Sequence, residues 1–168
     1  MRILILLFIL GITSMSAQTD TETIQKEIDK MVWKPFQMAF ETLDGDALNA
    51  TYADHVLRVT PQGIDTENAF KKGNAERFAS NRKNGDKISL DFWFDSRKTN
   101  KTTSYEVGFY RIGFTSKGGE TQYSYGQFHI VLEKINGQWK ITQDWDTATI
   151  AGTPITAKEF YKKEALRF

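Results

Sequence analysis

The sequence predicts an α+β domain in which a long antiparallel meander carries helices on one face. Three observations predict it. Early in the chain, Ile24, Ile28, Met31, Val32, Phe36, Ala39 and Leu43 follow one another at the spacing of an amphipathic helix. From Lys87 onward the period falls to two, with Ile88, Leu90, Phe92 and Phe94 alternating with Ser89, Asp91, Trp93 and Asp95. Asn136-Gly137 stands between two alternating runs, a strong short-range hairpin signal. Helical patterns followed by consecutive strand patterns give α+β order.

Residues 1–17 read as an export signal, with a basic Arg2, an apolar run from Ile3 to Ile12, and small residues up to Ala17. That run is shorter than the roughly 20 residues a membrane span needs, so cleavage after Ala17 leaves no span. The protein is then expected in the periplasm or outside the cell. Residues 18–155 read as one domain, and residues 156–168 as a C-terminal helix packed on it. Taking Arg2 from the 22 Lys and Arg leaves them equal to the 21 Asp and Glu. A chain in such balance lacks the basic excess that nucleic acid or anionic lipid requires. The absence of cysteine removes disulfides and thiolate metal sites. The core must therefore hold the fold, and 12 Phe, 6 Tyr and 4 Trp supply it.

Within the first helix Pro35 predicts a kink or local break. Asp44-Gly45 ends that helix, and Asp46 is placed to cap a short second one carrying Leu48 and Tyr52. His55 to Pro61 reads as a short strand, and Asp65 as a cap before a helix that Gly73 interrupts and Gly85 closes. Thr156 and Glu159 have capping-box spacing, which predicts the last helix. The strand around Val107 to Phe114 is apolar on both faces, so self-association through the outer sheet face is expected.

A two-residue turn at Asn136-Gly137 sets the register of the last hairpin. It pairs Lys134 with Trp139, Leu132 with Ile141, Ile130 with Gln143 and Phe128 with Trp145. The opposite face pairs His129 with Asp144 and Gln127 with Asp146. Without a bulge, Gln143 and Trp145 point into the core while both aspartates face water. A carboxylate beside His129 suits general-base chemistry. With neither nucleophile nor metal ligand nearby, it reads as a cross-strand charge pair adding about 0.2–1 kcal/mol.

The stretches "GDALNATYADHVLRVTPQG", "KGNAERF" and "GQFHIVLEKINGQWKITQDWDT" resemble the nuclear transport factor 2-like superfamily, closest to its SnoaL-like branch and related small exported proteins. The resemblance spans roughly Ile24 to Thr147 and rests on a Gly-Asp between two helices, a Tyr-x-Asp before the first strand and Gly-x-Trp-x-Ile in the last hairpin. It implies a cone: a strongly curved sheet wrapped around N-terminal helices, whose open end often holds a small apolar ligand. Ketosteroid isomerases, polyketide cyclases, epoxide hydrolases and dehydratases belong to the family. They work mostly without metal, through a carboxylate or His in an apolar pocket, and the fold alone does not imply catalysis.

Carried over by position, the resemblance makes Trp33, Phe36, Tyr52, His55, Tyr110, Gln143 and Trp145 the candidate pocket residues. His55 and Asp54 are the candidate catalytic groups, and no metal or cofactor is expected. Three functions follow, in this order: binding of a small, largely apolar molecule; an interaction or structural module with a filled cavity; and a metal-free isomerase-, cyclase- or dehydratase-like enzyme. An inward carboxylate or His with room beside it separates enzyme from binder. A cavity of about 300 Å³ or more separates binder from filled module.

Overall fold

The computed structural model describes residues 20–166 and 168, and the export signal lies outside the described residues. Helix α1, residues 20–28, runs into a π-helical turn at Asp29–Trp33 and then into α2, Lys34–Thr42. The widened turn stands directly before Pro35, whose ring would crowd the carbonyl four residues back in a regular helix. Leu43 closes α2 in the left-handed conformation, and Asp44, rather than Asp46, caps α3 (Gly45–Ala50) by accepting from the Ala47 amide. After strands β1 (Tyr52–Thr60) and β2 (Gly63–Asp65), α4 (Ala69–Asn84) runs unbroken through Gly73. Asp65 accepts from the amides of Glu67 and Phe70 at its start, and Gly85 terminates it at φ 77°.

The meander follows as β3 (Lys87–Thr99), β4 (Thr103–Thr115), β5 (Thr121–Ile135) and β6 (Gln138–Thr147). The six-stranded sheet has the order β2-β1-β6-β5-β4-β3 and is curved but unclosed. It is mixed rather than wholly antiparallel, because β1 returns to pair parallel with β6. β1 is also longer than its pattern suggested and begins at Tyr52, and β3 continues to Thr99. Irregularities at Phe94/Ser96 in β3, between Tyr52 and Leu57 in β1, and at the level of Val131/Leu132 between β5 and β6 bend the sheet.

The helical stripe packs on the inner sheet face, where Ile28, Val32 and Ala39 meet Leu90, Phe92, Phe128, Ile130, Leu132 and Ile141. Leu132 and Ile141 are fully buried, a contribution of about 1.5–3 kcal/mol each. On the outer face Trp93 stacks on Phe109, and the C-terminal segment covers the pair. That segment forms a small hairpin, β7 (Thr149–Ile150) with β8 (Thr153–Pro154), and a single turn, α5 (Ala157–Phe160). The Thr156–Glu159 capping box is present, but the expected helix stops after that turn. Trp93 Nε1 donates to the Phe160 carbonyl at 2.7 Å, and the Leu166 amide donates to the Phe92 carbonyl along the free edge of β3. Part of the apolar outer face is therefore occupied by the chain itself, while Tyr105 and Trp145 stay exposed.

A buried polar cluster joins the start of the long helix to β3 and β4. Glu106, wholly buried, accepts from Trp33 Nε1 (2.7 Å), Ser104 Oγ (2.8 Å) and Arg97 (3.1 Å). Arg97 also grips Asp29 through two bonds, at 2.7 and 3.1 Å, and lies over Phe94. The π-turn carries both Asp29 and Trp33, so it aims the indole at Glu106.

Candidate functional site

The inner face of the cone encloses a cavity of about 270 Å³. Trp33, Phe36 and Phe40 line it from the helices, and Leu90, Phe92, Phe128 and Ile130 from the sheet. Two glycines keep it open. A side chain at Gly126 would begin 2.3 Å from the Tyr110 ring, and one at Gly108 would begin 2.4 Å from the Phe128 ring. Each ring lies flat across the glycine opposite it on the neighbouring strand, so neither projects into the space.

The cavity is polar on one side only. Arg58 on β1 bridges two carboxylates on β6: one nitrogen meets Asp144 Oδ2, and the other meets Asp146 Oδ2 at 2.9 Å. Tyr52 donates its hydroxyl to Asp144 at 2.8 Å. All four line the cavity together with Tyr110, whose hydroxyl has no protein partner among the described residues.

These contacts exist because β6 carries one residue too many. The register is as the turn predicts down to Leu132 opposite Ile141, but the next pair is Val131 with Gln143, leaving Thr142 as a bulge. Every later residue of β6 changes face. Asp144 is therefore opposite Ile130 and Asp146 opposite Phe128, both inward, whereas Gln143 is exposed and Trp145 is 39% exposed on the outer face. The expectation that Gln143 and Trp145 line the pocket is thus reversed. His129 faces Trp145 and bonds Tyr105 at 2.6 Å, not Asp144, and its partial burial lowers its pKa.

β1 is irregular at the same level, and this too re-aims side chains. Tyr52 is paired with Ile141 and Leu57 with Gln143, so the four residues between them on β1 face the single Thr142. Asp54 and His55 lie in that excursion with exposed side chains and do not line the cavity, which corrects their candidacy as catalytic groups. Beyond it, Arg58 arrives opposite Asp144. Of the residues expected around the cavity, Trp33, Phe36, Tyr52 and Tyr110 line it, and His55, Gln143 and Trp145 do not. Arg58, Asp144 and Asp146 escaped the residue pattern. The available signal was an arginine in phase with the apolar Val56, on a strand adjoining two aspartates two residues apart.

Burial governs the electrostatics. The carboxyls of Asp144 and Asp146 are both raised above the ordinary value of 3.8, because loss of water outweighs the guanidinium of Arg58. The charge on Asp144 pushes Asp146 further the same way. Burial, with Asp146 adding to it, lifts the Tyr110 hydroxyl to about 12, so it stays a donor at neutral pH. Asp144 takes its bonds from Tyr52 and Arg58 on one oxygen, Oδ2, and only 6% of its side chain is exposed. Asp146 keeps 22% of its side chain exposed and has Arg58 as its one donor, leaving acceptor capacity toward the cavity. Such a site can take and return a proton beside an apolar surface. Among the described residues no group of three or more His, Cys, Asp or Glu is placed to hold a metal ion.

Comparison with known proteins gives a fold. No family model matches the sequence, and no curated protein matches it. Solved structures do match. A scytalone dehydratase-like protein from Novosphingobium aromaticivorans superposes with a TM-score of 0.65 at 17% identity, covering 86% of this chain and 98% of that one. A dehydratase-like member of the nuclear transport factor 2-like family from Streptomyces avermitilis gives 0.62 at 12% identity, covering 78% and 99%. A nuclear transport factor 2-like protein of unknown function from Shewanella oneidensis gives 0.54 at 21%, covering 73% and 98%. The six-stranded mixed sheet, the helices it wraps and these neighbours together show that the chain has the nuclear transport factor 2-like fold.

Proposed function

We propose that this is an exported, metal-free acid–base enzyme of the isomerase or dehydratase kind, acting on a small molecule with an apolar body. One observation carries the reading: Asp146, an inward carboxylate of raised pKa with spare acceptor capacity, stands beside open space. That feature favours an enzyme over a passive binder. The open cavity of about 270 Å³ falls just short of the roughly 300 Å³ at which ligand pockets begin, which suits only a small ligand, and its open space favours either reading over a filled module.

Asp146 takes a proton from a carbon or hydroxyl of the substrate, being poised nearer neutrality than an ordinary carboxylate. Tyr110 donates to the oxygen on which negative charge develops. Tyr52 and Asp144 hold Arg58 in place, and Arg58 in turn fixes Asp146. Trp33, Phe92 and Phe128 receive the apolar body. The dehydratase-like neighbours support the reaction class by analogy of fold.

The test is solvent-deuterium uptake by a panel of small enolisable ketones, read by mass spectrometry. The wild type is expected to exchange at least one of them about 10²–10⁴ times faster than Asp146→Asn. Equal uptake by the two proteins across the panel would return the pocket to a purely binding role. Export is checked by expressing the full chain and sequencing the N-terminus of the exported product, expected at Gln18. Self-association through the outer face, where Tyr105 and Trp145 are exposed, is checked by analytical ultracentrifugation.

A further inference from the structure

A second arginine borders the cavity at its exposed rim, and among the described residues no carboxylate pairs with it. Arg58, Arg97 and Arg111 each pair with a carboxylate, and Arg82 donates to the Leu43 carbonyl. Arg77, on α4, lines the cavity and makes one hydrogen bond, 3.3 Å to the neutral amide oxygen of Asn74. No ion pair among the described residues includes it. Its guanidinium is nevertheless held in place, with its central carbon 4.9 Å from the centre of the Phe78 ring and 6.0 Å from that of Phe40. The same wall of the cavity carries Asn74, with Thr60 from the end of β1 and Gln62 from the turn after it.

A guanidinium has five N–H donors in a planar fork that matches a carboxylate in two parallel bonds. Here one donor is used by protein, and the fork is already oriented by rings beneath it. Its side chain is exposed at the rim of the cavity, where partial loss of water and the nearby charge of Arg58 both weaken its hold on its proton. Arg58, by contrast, is occupied by Asp144 and Asp146.

We infer that the substrate is a small carboxylate: its anionic end bonds to Arg77, its apolar body lies on Trp33, Phe92 and Phe128, and its reacting atom meets Asp146 and Tyr110. The inference rests on the proton-transfer reading for the last of these contacts only. It narrows the substrate class beyond anything the fold supplies. At about 270 Å³ the cavity has the room of roughly nine waters at about 30 Å³ each, enough for one ring or a short chain with its head group.

Cinnamate and cinnamamide have the same shape and differ in charge, so isothermal titration of both isolates the contribution of Arg77. At neutral pH the wild type is expected to bind cinnamate at least about tenfold more tightly than cinnamamide, as a charge-assisted bond implies. Arg77→Gln should bring the two affinities together by weakening cinnamate and leaving cinnamamide unchanged. Arg77→Lys should restore part of the difference, since it keeps the charge and loses the fork. Equal affinities in the wild type would overturn the inference, as would a preference for the acid that survives in Arg77→Gln. Failure of both compounds to bind would overturn the pocket reading and this inference with it. Arg77-dependent binding of cinnamate, without deuterium uptake by any ketone, would uphold the carboxylate site and remove the proton-transfer reading alone.

Discussion

Arg58 and Arg97 each bridge two carboxylates on the inner side of one sheet, and only one of them makes a site. Arg97 holds Asp29 and Glu106, and Glu106 also accepts from Trp33 and Ser104, so its oxygens are filled by protein. Arg58 holds Asp144 and Asp146, but Asp146 has no second donor and borders the cavity. Both Glu106 and Asp146 are raised by burial. A perturbed carboxylate therefore does not by itself mark chemistry. What separates the two clusters is unspent hydrogen-bonding capacity next to room for a ligand.

Four outcomes break or sharpen this contrast. The largest is expected at the sealed cluster: Glu106→Ala removes one partner of a buried pair and strands Arg97 and the Trp33 indole, costing about 3–5 kcal/mol in urea unfolding. A loss under about 1 kcal/mol would mean that water takes over these contacts. Next, Tyr110→Phe should slow deuterium exchange about 10²–10³-fold, near 2.7–4 kcal/mol, with the midpoint of unfolding almost unmoved. An unchanged rate would exclude its hydroxyl from the reaction. Gly126→Ala should cost about 1–3 kcal/mol by driving the Tyr110 ring into the cavity, and should also weaken binding of cinnamamide.

The smallest effect concerns pH and has an unusual sign for a carboxylate. Asp146 titrates higher when folded than its ordinary 3.8, so the folded state binds more protons between those two values. Its contribution to stability is greatest at acid pH and declines as pH rises through that window. Asp146→Asn should therefore flatten the fall in stability with rising pH there, an effect seen in unfolding curves collected at successive pH values. A steeper fall in the variant would reverse the assignment.

Much of the architecture is legible in the residue pattern. The apolar stripe from Ile24 to Leu43, the alternation after Lys87 and the turn at Asn136-Gly137 are local signals, and each yields the element it predicts. The cap by Asp65 and the capping box at Thr156 are local as well. The candidate site is legible only on its helical side, at the first residue of β1 and on β4, through Trp33, Phe36, Tyr52 and Tyr110. Its polar wall is not, because it depends on a parallel β1–β6 pairing between residues such as Arg58 and Asp144, far apart in the chain. The bulge at Thr142 has no glycine or proline to announce it, and Ile141, Gln143 and Trp145 continue a plausible alternation. Two aspartates are tolerated inside only because Arg58 lies across the strand, and nothing local links the two stretches.

Thr142 behaves like an extra letter in a message read two letters at a time. Its own side chain matters little, since its one bond is a long 3.4 Å contact to the Val131 carbonyl. Its presence sets the phase of everything after it. Substitutions at this position should be silent, whereas removing the residue would exchange Asp144 and Asp146 for Gln143 and Trp145 on the inner wall. Two chains differing by that single deletion would be almost identical letter by letter, and one would hold a pair of carboxylates where the other held an indole and an amide.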